Sequence, residues 1–249
     1  GGAISALSTE AEIRNSRFLN NSVQGGAGIP AENGGFANGG AIFADDFSPF
    51  DAVGLPGRDS FMDIFGSTFV GNESIGGAAG EGDTVGGGAA GGAVSISISF
   101  FEDTGRIRNS DFRHNSATGG VGATGGLAIG GALSILTGAQ VDVRNTNFVH
   151  NVVRGGGSET GNGGAAIGGA IGLGQLQPSA EFPLLGLPPM ADISTSYFRD
   201  NQAIGGNGGT AGVGGLGAGG ALGAVSGSAR VSLSTFTRNR AQGGSAGTG

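Results

Sequence analysis

The chain has 249 residues, 58 of them glycine and only 12% charged, with no cysteine, no lysine, a net charge of −7 and an isoelectric point near 4.7. Large apolar side chains are too few for one conventional globular core, and an acidic chain lacks the basic face that nucleic acid requires. Without cysteine there is no disulfide frame, thiolate nucleophile or cysteine-based metal site, and no apolar run approaches the roughly 18 residues of a membrane span.

The first element is Gly-Gly-Ala followed by an aliphatic residue at Gly1, and it returns at Gly39, Gly91, Gly130, Gly168 and Gly219. Each copy is followed by Phe-x-x-Asn, whose phenylalanines are Phe18, Phe69, Phe112, Phe148, Phe198 and Phe236 and whose asparagines are Asn21, Asn72, Asn115, Asn151, Asn201 and Asn239. Five residues before each Phe stands Ile13, Ile64, Ile107, Val143, Ile193 or Val231, and two before it a hydroxyl from Ser16, Ser67, Ser110, Thr146, Ser196 or Ser234. Two motifs in strict alternation along a whole chain mean one supersecondary unit stacked on copies of itself.

Residues 12–18 are rich in strand formers and bounded by Asn and Gly, which predicts a strand. No window carries apolar residues at helical spacing without an interrupting glycine, so long helices are excluded. The fold class is therefore all-β: a parallel β-solenoid of six coils with like residues over like, about 4.8 Å apart. Phe and Ile or Val fill its interior, each buried side chain contributing about 1.5 to 3 kcal/mol. The Asn column becomes a turn ladder whose amides donate to carbonyls of the next coil, and Gly-Gly-Ala makes a tight corner.

From one Gly-Gly-Ala to the next the steps are 38, 52, 39, 38 and 51 residues, so the second and fifth coils carry insertions, around 47–57 and 176–189. Six of the seven prolines sit in them, which predicts rigid loops leaving the sheet with apolar tips. Matching coils three apart gives offsets of 129, 129 and 128, so 1–249 reads as one solenoid domain made of two three-coil blocks, 1–129 and 130–249. Between each Asn and the next corner lies a loop such as 205–215, dominated by glycine. Alone it would be a flexible linker, whereas repetition at one place in consecutive coils allows it to stack into a flange. The chain starts in mid-pattern and stops inside such a loop, as a piece of a longer repeat protein would.

The pairing of Gly1-Gly2-Ala3-Ile4 with Phe18-Leu19-Asn20-Asn21, of Gly39-Gly40-Ala41-Ile42 with Phe69-Val70-Gly71-Asn72, and the four later pairs resemble the repeats of the polymorphic outer membrane protein family of autotransporter passengers and adhesins. The resemblance covers the whole chain. It implies a right-handed parallel β-helix displayed outside the cell, at a bacterial outer surface, and acting by contact with a protein or glycan of a host or neighbouring cell. The glycine-rich loops are longer than that family's usual connection, and these 249 residues contain no stretch that reads as a translocating barrel.

Candidate sites are few. Before each ladder Asn stand Asn20, Gly71, His114, His150, Asp200 and Arg238, so His114, His150 and Asp200 stack at coil spacing and offer two imidazoles and a carboxylate to zinc or a similar ion. An ordinary polar column satisfies the same spacing. Asp45, Asp46, Asp51, Asp59 and Asp63 gather at the first insertion, without the spacing of a known calcium loop, and read as a solvated acidic loop. The sequence 120–125 matches GxGxxG with no helix after it, and the sequon at Asn72 uses a ladder residue that should point inward. No cofactor is implied.

Polysaccharide lyases and hydrolases of this fold need converging carboxylates, or an arginine base; here Glu102, Asp103, Asp111 and Asp142 fall near Arg106, Arg108 and Arg144, while Arg14, Arg108 and Arg144 share one strand position as a surface ladder. The favoured expectation is a non-catalytic structural or adhesive surface. The alternatives are a polysaccharide-binding or polysaccharide-degrading helix and a filament assembled end to end through pairable edges.

Overall fold

The computed structural model describes residues 1–7, 9–45, 61–82, 84–97, 104–174 and 188–248. The insertions at 47–57 and 176–187, with Asp46, Asp51, Asp59, Glu102 and Asp103, lie outside the described residues. Among those described there is no helix, and the strands are two to five residues long, all paired in parallel as a right-handed β-helix.

Each coil passes through five sheets. The first holds Ile4–Leu7, Ile42–Asp45, Val94–Ser97, Leu133–Leu136, Ile171–Gly174 and Leu222–Val225, the strands that leave Gly-Gly-Ala. The second holds Glu10–Arg14, Phe61–Phe65, Thr104–Arg108, Gln140–Arg144, Met190–Ser194 and Ser228–Ser232. The third holds the three-residue phenylalanine strands, from Arg17–Leu19 to Thr235–Thr237, and the fourth runs from Ser22–Gln24 to Arg240–Gln242. A five-stranded sheet of dipeptides, Ala37–Asn38 to Gly217–Ala218, closes the circuit. Every neighbour in a sheet is one coil further along the chain, so Phe18, Phe69, Phe112, Phe148, Phe198 and Phe236 pair in register, as do Ile13, Ile64, Ile107, Val143, Ile193 and Val231.

The main core is therefore a set of files along the axis. Phe69, Phe112, Phe148 and Phe198 are fully buried, and successive phenylalanine rings stack at 4.5 to 5.0 Å within 11° of parallel. Coil spacing dictates this offset face-to-face geometry. A second, narrower core of Ala89, Ala117, Ala128, Val153, Ala166 and Ala203 is buried between the fourth and fifth sheets. Only small side chains fit that neck.

The strand expected over 12–18 is two strands, Glu10–Arg14 and Arg17–Leu19, because Asn15 turns the chain at a φ of 48°. Its column, Asn15, Gly66, Asn109, Asn145, Thr195 and Leu233, is left-handed throughout, at 48 to 60°. Glycine accepts this conformation freely and Asn tolerates it, while a β-branched residue is strained. Thr195→Asn, at an exposed corner, is expected to stabilise the protein by about 1 kcal/mol, read as a higher urea midpoint. An unchanged or lower midpoint would remove corner strain from the account.

Two side-chain ladders hold the third sheet. The Asn115 side chain donates to the Phe69 carbonyl at 3.1 Å and to Asn151 Oδ1 at 3.0 Å, while its own Oδ1 accepts from the Asn72 backbone N–H and amide at 3.0 and 2.9 Å. The pattern repeats along the file: the amides from Asn72 to Asn239 donate to the preceding coil's phenylalanine carbonyl, and those from Asn21 to Asn201 to the next asparagine. The hydroxyl column forms the second ladder: Ser67 Oγ donates to the Phe65 carbonyl and accepts from the Ser16 N–H.

The glycine loops are an ordered flange. Gly35 N–H donates across its own loop to the Gly26 carbonyl, Gly77 of the next coil donates to Gly35, Gly87 back across to Gly77, and Gly120 to Gly87. The zigzag continues through Gly126, Gly156, Gly164, Gly206 and Gly215 to Gly244, ten bonds of 2.7 to 2.9 Å in one unbroken line. Of the two readings left open by the sequence, stacking is the one the backbone adopts. The reason for glycine is proximity: a Cβ on Gly156 would collide with the Gly120 carbonyl oxygen of the neighbouring coil.

Candidate functional site

Two polar surfaces are built on this frame. The first is the corner between the third and fourth sheets, where Asn20, Gly71, His114, His150, Asp200 and Arg238 all take left-handed φ of 53 to 65°. Asn, Asp and His are enriched among residues that tolerate this conformation, which explains their presence without any ligand. His114 and His150 stack with centroids 5.1 Å apart and planes within 10°, and His150 Nε2 lies 3.8 Å from Asp200 Oδ2. Arg238 takes Asp200 instead, donating from Nε and Nη2 to its two oxygens at 2.8 and 2.9 Å. Those bonds hold the Asp200 carboxyl below the usual carboxylate range against a smaller opposing effect of desolvation, and they raise the Arg238 guanidinium. The three candidate metal ligands thus share one file, yet among the described residues no group of three His, Asp or Glu has the geometry to hold a metal ion.

The second surface is the outward face of the second sheet. Ile and Val of each strand point into the core, and the alternate positions point out. One outward column reads Glu12, Asp63, Arg106, Asp142, Asp192 and Arg230; beside it run Arg14, Phe65, Arg108 and Arg144, and on the other side Glu10, Phe61, Gln140 and Met190. The three arginines therefore share one position, as expected, with Phe65 among them. Asp63 is largely buried and receives both contacts of Arg108 Nη2 at 3.0 Å, with Arg14 at 3.5 Å. Asp142 accepts from Arg144 Nε at 2.8 Å, Asp192 lies 3.7 Å from Arg230, and Arg106 lies 5.2 Å over the Phe61 ring. An open groove of about 420 Å³ follows this face from Arg106 past Asp142, Met190 and Asp192 to Arg230.

Of the carboxylates considered for catalysis, the two described, Asp111 and Asp142, do not converge. Asp111 lies on the third sheet beyond the Asn109 corner and pairs with Arg113, whose guanidinium it raises, whereas Asp142 faces out of the second sheet. Asn72 is fully buried in its ladder, so its sequon is structural, and 120–125 belongs to the glycine flange. The charged column itself escaped the sequence reading. Its signal was available six residues before each Phe, at a position that varies in charge and so stands out less than an invariant one.

No protein-family description matches the chain, and no curated protein matches it. Among solved structures, a double mutant of the periplasmic alginate epimerase AlgG aligns at 11% identity over 94% of this chain and 75% of that one, with a TM-score of 0.19. A likeness of that size carries no argument about this chain.

Proposed function

We propose that the chain is an extracellular or cell-surface structural and adhesive rod, placed at a bacterial outer surface, that presents an elongated face to a protein or glycan of a host or neighbouring cell and does no chemistry on it. One observation carries this reading: interior files, ladders and flange are all spent on joining coil to coil, and what varies between coils is the outward side-chain grid. The resemblance of the Gly-Gly-Ala and Phe-x-x-Asn repeats to polymorphic outer membrane proteins supports the same placement. Each described carboxylate of the grid's central column from Asp63 to Asp192 sits beside an arginine, an arrangement that suits recognition better than acid–base work.

Beads coated with the protein are expected to attach to epithelial or bacterial cells more than beads coated with albumin, with no release of reducing ends or unsaturated uronates from pectin, alginate or glycosaminoglycans. Beads indistinguishable from the albumin control would sink the adhesive reading, and sustained product release would replace it with an enzyme.

A further inference from the structure

We infer that the outward face of the second sheet binds an uncharged linear polysaccharide at two related sites, three coils apart. This rests on the contact-surface reading above and names the ligand class for it.

The interior repeats at every coil, but two of the three outward columns of this face repeat at every third, while in the remaining one Arg144 answers Arg14 and Ser194 and Ser232 replace Phe65 and Arg108. Glu12, Asp63 and Arg106 are answered in register by Asp142, Asp192 and Arg230, and Glu10 and Phe61 by Gln140 and Met190. Packing acts alike on every coil and cannot impose a three-coil period. A duplicated block supplies two copies, yet in these two columns Glu12 has become Asp142, Glu10 Gln140 and Phe61 Met190, changes that keep an acceptor or a large apolar group in place, as a common contact partner would require. Three coils correspond to about 14 Å.

The chemistry narrows the partner. Five carboxylates, from Glu10, Glu12, Asp63, Asp142 and Asp192, face five guanidinium groups, from Arg14, Arg106, Arg108, Arg144 and Arg230, so the grid is balanced on a chain of net charge −7. A polymer of single-sign charge gains nothing from such a face. An added peptide strand needs free backbone donors and acceptors, which within the sheet are consumed by the ladders running along the axis. Hydroxyl groups, in contrast, both donate to carboxylates and accept from guanidinium groups, and the sugar's C–H face packs on apolar side chains such as Met190, 46% exposed beside the groove. A polysaccharide lying along the rod meets the pattern twice.

The test is affinity electrophoresis of the full chain in gels containing mixed-linkage β-glucan, galactomannan or dextran, with alginate and polygalacturonate as anionic probes, at low and high salt. At least one uncharged polymer should retard the protein at both salt concentrations. Met190→Ala/Asp192→Asn and Phe61→Ala, which alter side chains outside the main core, should each weaken binding, and their combination should lower affinity by about a hundredfold through lost bivalency. Circular dichroism and the melting midpoint of each variant confirm that the helix is intact. No retardation by any uncharged polymer, retardation confined to anionic polymers and abolished by salt, or variants that fold and bind like the parent would each overturn the inference. If coated beads still attach to cells in those cases, the adhesive reading stands while this one falls.

Discussion

Replacing Gly156 by alanine is expected to cost about 3 to 5 kcal/mol, while the same replacement one residue later, at Gly157, changes stability by no more than about 0.5 kcal/mol. Both glycines lie in one loop and neither has positive φ, so conformational freedom does not separate them. What separates them is space. A methyl on Gly156 would meet the Gly120 carbonyl oxygen and, at 2.6 Å, the Gly126 nitrogen, whereas a methyl on Gly157 has nothing within 4 Å. The obstructing atoms are backbone and cannot swing aside, because Gly126 N–H is bound to the Gly120 carbonyl at 2.9 Å and Gly156 N–H to the Gly126 carbonyl at 2.8 Å. Relief requires parting two coils at the flange, and the loss of several hydrogen bonds at once sets the size of the effect. Melting midpoints of the two variants check this, together with amide exchange at Gly126 and Gly164. Equal midpoints would mean that the flange is not close-packed.

Asn115→Ala should be comparably severe, at about 2 to 5 kcal/mol, since it leaves the buried Asn72 N–H without an acceptor and the Phe69 carbonyl without its side-chain donor, at about 1 to 3 kcal/mol each. Ladder position governs the outcome. Asn21→Ala removes the bond from its amide to Asn72 Oδ1 at a partly exposed site and should cost only about 1 kcal/mol. Urea unfolding of both variants gives the comparison, and a cost at Asn115 no larger than at Asn21 would reduce the ladder to decoration on a core that is stable without it.

The parts of this fold legible in the sequence are those in which one physical demand acts identically on every coil. Phe112 and Ile107 occupy fixed places because a file of rings tolerates no gap, and Asn115 does so because its amide serves two neighbours. Asn15 was harder to read. Its column also admits Gly66 and Thr195, so the corner that splits 12–18 into two strands leaves a mixed signature. Glycine richness alone did not distinguish a linker from a lattice, since the same residue serves both; the zigzag from Gly26 to Gly244 exists only when loops lie over one another. The histidines gave a misleading signal. His114 and His150 stand in line as their spacing requires, but the left-handed corner accounts for them and Arg238 claims the carboxylate. The second-sheet grid was missed because its central column changes charge from coil to coil, so no single residue type marks it, even though the three-coil block was legible in the insertions.

The direction of the hydrogen bonds bears on mechanics. Between coils they run along the rod, some donated forward, as from the Asn15 N–H to the Phe65 carbonyl, and some back, as from the Thr68 N–H to the Ser16 carbonyl. A pull on the two ends of the chain therefore loads them in series, one coil at a time, instead of shearing five sheets together. Under tension such an object unreels. Each of the shorter coils, 38 or 39 residues from corner to corner, pays out about 130 Å of slack as it peels away, leaving the coils beneath it intact. A surface held to its partner by this tether would lengthen under drag before it let go.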